Sequence, residues 1–132
     1  MQVKCISNKE GGFLEEGQIY TVYSTLIDDD SCSYLIAEKD CCISYWFSAE
    51  HFEVVSHLVL PTWYFAFKGY GAFDEVSGLR FPTTAIWGYK EMVYDPYHRI
   101  NLIDREPETL EIFKKRQEEM DEFEELISIE SK

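Results

Sequence analysis

The spacing of the apolar residues changes near residue 104, and this change constrains the fold of the 132-residue chain more than any other feature. Before it, β-branched and aromatic residues form short runs between turn residues, a pattern typical of strands. After it, apolar residues recur every three or four positions, which predicts one amphipathic helix. The residues on that helical face are Leu110, Phe113, Met120, Phe123 and Ile127, with Gln117 interrupting the series. We therefore expect an α+β protein dominated by strands and ending in a helix.

The first 56 residues predict a series of short strands. The candidate strands cover residues 3–6, 18–27, 32–38, 41–47 and 52–55, with a single helical turn at 48–51. Residues 28–30 read Asp-Asp-Asp and predict a turn between the second and third strands. Short strands that follow one another this closely favour a small, strongly bent antiparallel sheet or barrel.

Two segments of this region resemble a known family. Val3-Lys4-Cys5-Ile6 is followed by Leu14-x-x-Gly17-x-x-Tyr20-x-Val22. This order is similar to that of the small Src-homology-3-like (SH3-like) barrels common in bacteriophage and prophage genes. The resemblance covers residues 1–56, about 40% of the chain. It implies an SH3-like barrel and a phage origin, but no particular function, because one barrel serves many roles. It transfers no active site, since the resemblance includes none.

Residues 57–103 contain 11 aromatic residues, punctuated by glycine and proline. β-formers interrupted so often predict short strands and loops rather than helices. The candidate strands are 63–68, 83–87 and 100–103. We expect an aromatic β-rich extension packed on the barrel of residues 1–56, followed by an acidic helix in residues 104–132, all within one compact unit.

The net charge of −13 is unevenly distributed along the chain. Residues 1–56 hold 10 acidic and 3 basic side chains, residues 57–103 hold 4 of each, and residues 104–132 hold 11 and 5. Acidic segments of this kind repel nucleic acid and anionic membranes and are attracted to basic protein surfaces. We therefore expect a basic protein partner, with no direct contact to nucleic acid or membrane.

The chain carries no recognisable catalytic or metal-binding motif. The histidines His51, His57 and His98 have no general-acid or general-base partner evident in the sequence. The four cysteines lack the spacing of a zinc hook, and the aspartates at 28–30 lack the calcium-loop pattern. We expect no enzymatic activity, no cofactor and no metal. The first residues do not read as a signal peptide, so we expect a cytoplasmic protein, acting in the host cytoplasm if it is phage-encoded.

These observations favour an acidic phage-type accessory protein that binds and inhibits a basic, nucleic-acid-binding host or defence protein, in the manner of anti-CRISPR or anti-restriction inhibitors. Its carboxylates would act as a nucleic-acid mimic, although a merely solubilising acidic face would have the same composition. The predicted partner-binding acids are Asp28, Asp29, Asp30, Glu118, Glu119, Asp121, Glu122, Glu124 and Glu125. The alternative is a non-catalytic interaction module or homodimer that uses the barrel groove or the aromatic face, through Tyr45, Trp46 or Tyr70.

Overall fold

The computed structural model of the protein describes residues 1–9, 11–27, 31–38, 43–67, 72–73, 80–81 and 85–130. Within these residues the chain forms strands, three α-helices and a 3-10 turn at Ala49–His51. The strands are β1 Gln2–Cys5, β2 Ile19–Thr21, β3 Ser24–Ile27, β4 Cys32–Ala37, β5 Ser44–Ser48, β6 Phe52–Ser56, β7 Tyr64–Phe67, β8 Ala72–Phe73, β9 Arg80–Phe81 and β10 Ala85–Gly88. The helices are α1 Lys90–Tyr94, α2 Pro96–Ile103 and α3 Pro107–Glu130.

The strands form antiparallel sheets with the orders β2-β1-β6, β5-β4-β3-β10-β7 and β8-β9. The predicted α+β class is therefore confirmed. The strands of the first half are divided between two sheets, because β1, β2 and β6 lie in one and β3, β4 and β5 in the other. Neither of these sheets closes on itself in the described part of the chain, so the SH3-like barrel is not confirmed.

The prediction of one long strand over residues 18–27 is wrong. The chain leaves the three-stranded sheet after Thr21 and enters the five-stranded sheet at Ser24. Val22 and Tyr23, at the crossing, are both buried, and each packs into a different hydrophobic core. The β-branched and aromatic residues of 18–27 all favour strand. The strand is nevertheless interrupted at Val22 and Tyr23, because these two neighbours pack into different cores.

The aromatic segment extends the sheet of the first half. Strand β10 pairs with β3, with Trp87 opposite Thr25, and β7 pairs with β10, with Phe65 opposite Trp87. The prediction of strands and loops rather than helices is wrong at the end of this segment, because α1 and α2 lie there and the predicted strand at 100–103 belongs to α2. The Asp95 carboxylate accepts a hydrogen bond from the backbone N–H of Tyr97 at 3.0 Å, and Pro96 occupies the first helical turn. This combination of cap and proline starts a helix despite the local β-formers.

The five-stranded sheet separates two hydrophobic cores. The helix-side core joins the sheet to the three helices through Tyr23, Leu35, Ala37, Ile86, Tyr89, Met92, Val93, Leu102, Phe113 and Met120. The sheet-side core joins it to the three-stranded sheet through Val3, Cys5, Leu14, Val22, Tyr34, Ile36, Phe47 and Phe52. The alternation of side chains along a strand divides these residues, because Tyr34 and Leu35 are neighbours that point to opposite faces. Both faces of the sheet are therefore covered over its β3–β5 half.

Helix α3 confirms the predicted C-terminal helix. Its buried side chains recur every three or four positions, as one packed helical face requires. They are Thr109, Phe113, Gln117, Met120 and Glu124. Gln117, which interrupts the apolar pattern of the sequence, therefore lies on the packed face. The predicted core position Ile127 has a side chain outside the described set.

Candidate partner-binding surfaces

The outward face of α3 carries a row of glutamates, which we call the acidic stripe. It consists of Glu108, Glu111, Glu118, Glu122 and Glu125. All five side chains are exposed. At 3.6 residues per turn they fall within about 100° of one another, on the side of the helix opposite the buried face. Lys115 is exposed on the same side and is the basic residue that interrupts the row.

The stripe has dimensions that suit a nucleic-acid-binding surface. Its five carboxylates extend over 17 residue steps, from Glu108 to Glu125, or about 26 Å of helix, with an average interval of ~6 Å. A DNA strand presents one phosphate per ~3.4 Å of helix axis. The stripe is thus a sparser line of negative charge with a gap of about 10 Å between Glu111 and Glu118, and it is held in place by the packed face beneath it.

The other three predicted acids of the tail make polar contacts with other residues of the chain. Glu119 pairs with the guanidinium of Arg116 at 3.1 Å, and Asp121 accepts a 2.8 Å hydrogen bond from the hydroxyl of Tyr23. Glu124 is buried and forms an ion pair with the amino group of Met1 at 2.5 Å.

The structure therefore divides the six predicted acids into two groups. It places Glu118, Glu122 and Glu125 on the stripe and gives Glu119, Asp121 and Glu124 contacts within the fold. Sequence reasoning missed Glu108 and Glu111. Glu111 and Glu108 lie seven and ten residues before Glu118, and this spacing places them on the same side of the helix.

An ion pair fixes the middle of α3 to α1. The Nε and Nη2 atoms of Arg116 donate to the two carboxylate oxygens of Glu91 at 2.8 and 2.9 Å. The hydrogen bonds from Arg116 lower the pKa of Glu91 below its ordinary value, and the same bonds raise the pKa of Arg116. Both groups stay charged at neutral pH, so the outward orientation of the stripe rests on a bidentate contact as well as on apolar packing.

The predicted aromatic site residues do not form one surface. Tyr45 is exposed on β5, and its hydroxyl accepts a 2.9 Å hydrogen bond from Arg105. Trp46, the next residue, lies on the other face of the sheet and packs against the helix-side core. Tyr70 lies outside the described residues, as do Asp28, Asp29 and Asp30.

Three of the exposed aromatic residues lie together on β7, at the edge of the five-stranded sheet. Tyr64, Phe65 and Phe67 expose 42%, 48% and 72% of their surface. The ring of Tyr64 packs edge-on against Tyr94, with centroids 5.4 Å apart, and that of Phe65 lies 4.6 Å from Trp87. These side chains belong to the aromatic segment that the sequence singles out, but position alone does not tell which rings remain at the surface.

A hydrogen bond between two buried polar side chains, Tyr89 and His98, joins the start of α1 to α2. The hydroxyl of Tyr89 donates to Nε2 of His98 at 2.6 Å, and both side chains are buried. Burial lowers the pKa of His98 and raises that of Tyr89, so the neutral imidazole accepts and the phenol keeps its proton. His98 is only 2% exposed. Within the described residues, no three histidine, cysteine or acidic side chains are grouped as metal ligands.

The comparisons with known proteins leave the function to be argued from these surfaces. No protein-family model, no curated protein and no solved structure matches the chain. Among the described helices, none combines the length and the apolar character needed to cross a lipid bilayer.

Proposed function

We propose that the protein is an acidic inhibitor that covers a basic, nucleic-acid-binding surface of another protein. The observation that carries this proposal is the acidic stripe, in which five exposed carboxylates follow one side of a packed helix. The partner surface is a groove or face lined with lysine and arginine, of the kind that binds a phosphate backbone. The protein acts by occupying that surface and requires no catalytic group.

Rigidity and charge together support a binding role for the stripe. Acids scattered over a surface raise solubility, whereas a fixed row creates a local potential that steers a basic partner and raises its association rate.

The proposed setting is the cytoplasm of a bacterial host, with a defence or nucleic-acid-processing protein as the target. The bacteriophage-type pattern of residues 1–56 supports this setting, and the anti-CRISPR and anti-restriction inhibitors are the kind of protein it suggests. The net charge of −13 disfavours direct contact with nucleic acid. It also disfavours contact with an anionic membrane surface.

Capture from a fractionated lysate tests the proposal. The immobilised protein is exposed to the bacterial proteins that heparin retains, at low and at high salt. We expect capture at low salt and release at high salt, because exposed charges are screened over about 10 Å at 0.1 M ionic strength. The triple variant Glu118→Gln/Glu122→Gln/Glu125→Gln should lose the capture.

A matched variant separates the stripe from net charge. Glu15, Glu16 and Glu50 are exposed and lie outside α3, so Glu15→Gln/Glu16→Gln/Glu50→Gln removes the same number of charges. This control should capture the same proteins as the unmodified chain. If both triple variants lose the capture equally, net charge alone accounts for binding. If the stripe variant captures as much protein as the unmodified chain, the stripe is not the binding surface.

A further inference from the structure

Strand β7 ends the five-stranded sheet, and its outer side pairs with no strand in the described part of the chain. Exposed edges of this kind template pairing with other strands, and proteins usually block them with short strands, charges or covering elements. Residues 58–67, which include β7, contain no charged side chain. Within β7 itself, residues 64–67, there is also no proline.

The other edges of the two larger sheets carry such protection. Strand β2 has three residues, and β6 presents the exposed Glu53. Strand β5 contacts α2, and the guanidinium of Arg105 donates to the Tyr45 hydroxyl at this edge. Strand β7 contacts α1 in turn, but it exposes three aromatic side chains where β5 exposes Tyr45, so among the described edges of these sheets β7 is the most aromatic.

We infer that β7 is a homodimer interface, in which the strand pairs antiparallel with β7 of a second copy. An antiparallel pair of identical strands is self-complementary about a two-fold axis, as an isologous interface requires. Charge favours this edge over the rest of the surface for a contact between two copies. Two chains of net charge −13 repel each other over most of their surfaces, and the uncharged edge is where they approach with the least repulsion.

The pairing defines the arrangement of the dimer. The two-fold axis of an antiparallel strand pair is perpendicular to the sheet, so corresponding faces of the two copies lie on the same side. The two five-stranded sheets become one continuous sheet, with the helices of both copies packed on one face. Phe65 and Phe67 of each copy share the opposite face, and their exposed rings become anchors of the contact.

Sedimentation velocity over a concentration series tests this inference. The sedimenting species of the unmodified protein should approach twice the mass of one chain as the concentration rises. Phe67→Lys places a charge at the edge, at a position that is 72% exposed and therefore tolerant of substitution. It should weaken dimerisation at least about tenfold, because each copy loses an aromatic anchor and gains a buried like charge.

The matched control is Ile19→Lys, which puts the same charge at a 55% exposed apolar position on β2, an edge strand of the other sheet. This variant should dimerise like the unmodified chain. Hydrogen exchange adds a backbone readout, since the amides of residues 64–67 should gain protection with concentration. A chain that stays monomeric throughout would overturn the inference. So would a dimer that survives Phe67→Lys or dissociates equally in Ile19→Lys.

Discussion

The guanidinium of Arg116 holds the carboxylate of Glu91 by two parallel hydrogen bonds of 2.8 and 2.9 Å, and this contact joins the long C-terminal helix to α1. Arg116 also reaches Glu119 on its own helix at 3.1 Å. Arg116 thus forms structural ion pairs with two acids, Glu91 and Glu119, and Glu119 is one of the predicted partner-binding residues. The five glutamates of the stripe remain exposed on the outside of α3.

A double-mutant cycle with Arg116→Met and Glu91→Gln measures the strength of this contact. We expect a coupling free energy of about 1 kcal/mol, at the upper end of partly exposed pairs, because the geometry is bidentate. Both side chains are about three-quarters buried, with exposures of 26% and 25%. Urea denaturation of the four proteins supplies the free energies of unfolding. The matched cycle of Arg116→Met with Glu118→Gln should give a coupling near zero, and equal couplings in the two cycles would contradict the structural assignment.

Gly88 is required by the close approach of β10 to β3. A Cβ atom at this position would lie 2.6 Å from Oγ of Ser24 and 3.0 Å from its Cβ. The Ser24 hydroxyl cannot turn away without cost, because it donates a 2.6 Å hydrogen bond to the carbonyl of Trp87. We therefore expect Gly88→Ala to lower the free energy of unfolding by about 1–3 kcal/mol.

Removal of the opposing side chain tests the cause of that loss. In the double variant Gly88→Ala/Ser24→Gly the added methyl group has room, so the two changes should destabilise by less than the sum of the single variants. The measurement is the free energy of unfolding in urea for the two single variants and the double variant. Simple additivity would show that the contact between the two positions is not the reason.

The buried His98 makes the fold sensitive to mild acid. Its pKa in the folded protein lies below the ordinary 6.5 because burial disfavours the imidazolium, and this outweighs the nearby Glu91 and Asp95, which favour it. The unfolded chain therefore binds the proton more readily than the folded one just below pH 6.5. The contribution of His98 is complete above that pH and declines as the pH falls towards the folded-state pKa, by up to about 1.4 kcal/mol per pH unit.

Urea midpoints between about pH 7.5 and 5.5 measure this contribution. His98→Asn should lower stability at neutral pH, because the hydrogen-bond partner of Tyr89 is changed. It should also make stability decline less steeply as the pH falls. His57→Asn changes an exposed histidine and serves as the control, with a pH profile like that of the unmodified protein. A profile for His98→Asn that falls as steeply as the original would assign the acid sensitivity to other groups.

Sequence patterns predicted the elements whose signals are long and local. The spacing of Phe113, Met120 and their neighbours extends over several turns, so helix α3 was evident, and the acids between them identified part of the stripe. Short-range signals failed where two of them compete. The aliphatic residues of 100–103 favoured strand, while the Asp95 cap and Pro96 start a helix.

Contacts between distant segments account for most of the remaining differences. The roles of Asp121 and Glu124 depend on Tyr23 and Met1, which lie about a hundred positions earlier in the chain. The split between β2 and β3 depends on the two cores that Val22 and Tyr23 fill. Such pairings come from the tertiary structure, which propensity and periodicity do not encode.

Displacement of nucleic acid is the most direct test of the proposed inhibition. A protein captured from the heparin-retained fraction is bound to a fluorescently labelled DNA duplex, and the acidic protein is titrated in while the anisotropy is recorded. We expect the unmodified protein to lower the anisotropy to that of free DNA. The variant Glu118→Gln/Glu122→Gln/Glu125→Gln should leave the anisotropy high, whereas the control Glu15→Gln/Glu16→Gln/Glu50→Gln should lower it as the unmodified protein does. DNA that remains bound at saturating concentrations of the unmodified protein would contradict the claim that the stripe occupies a nucleic-acid-binding surface.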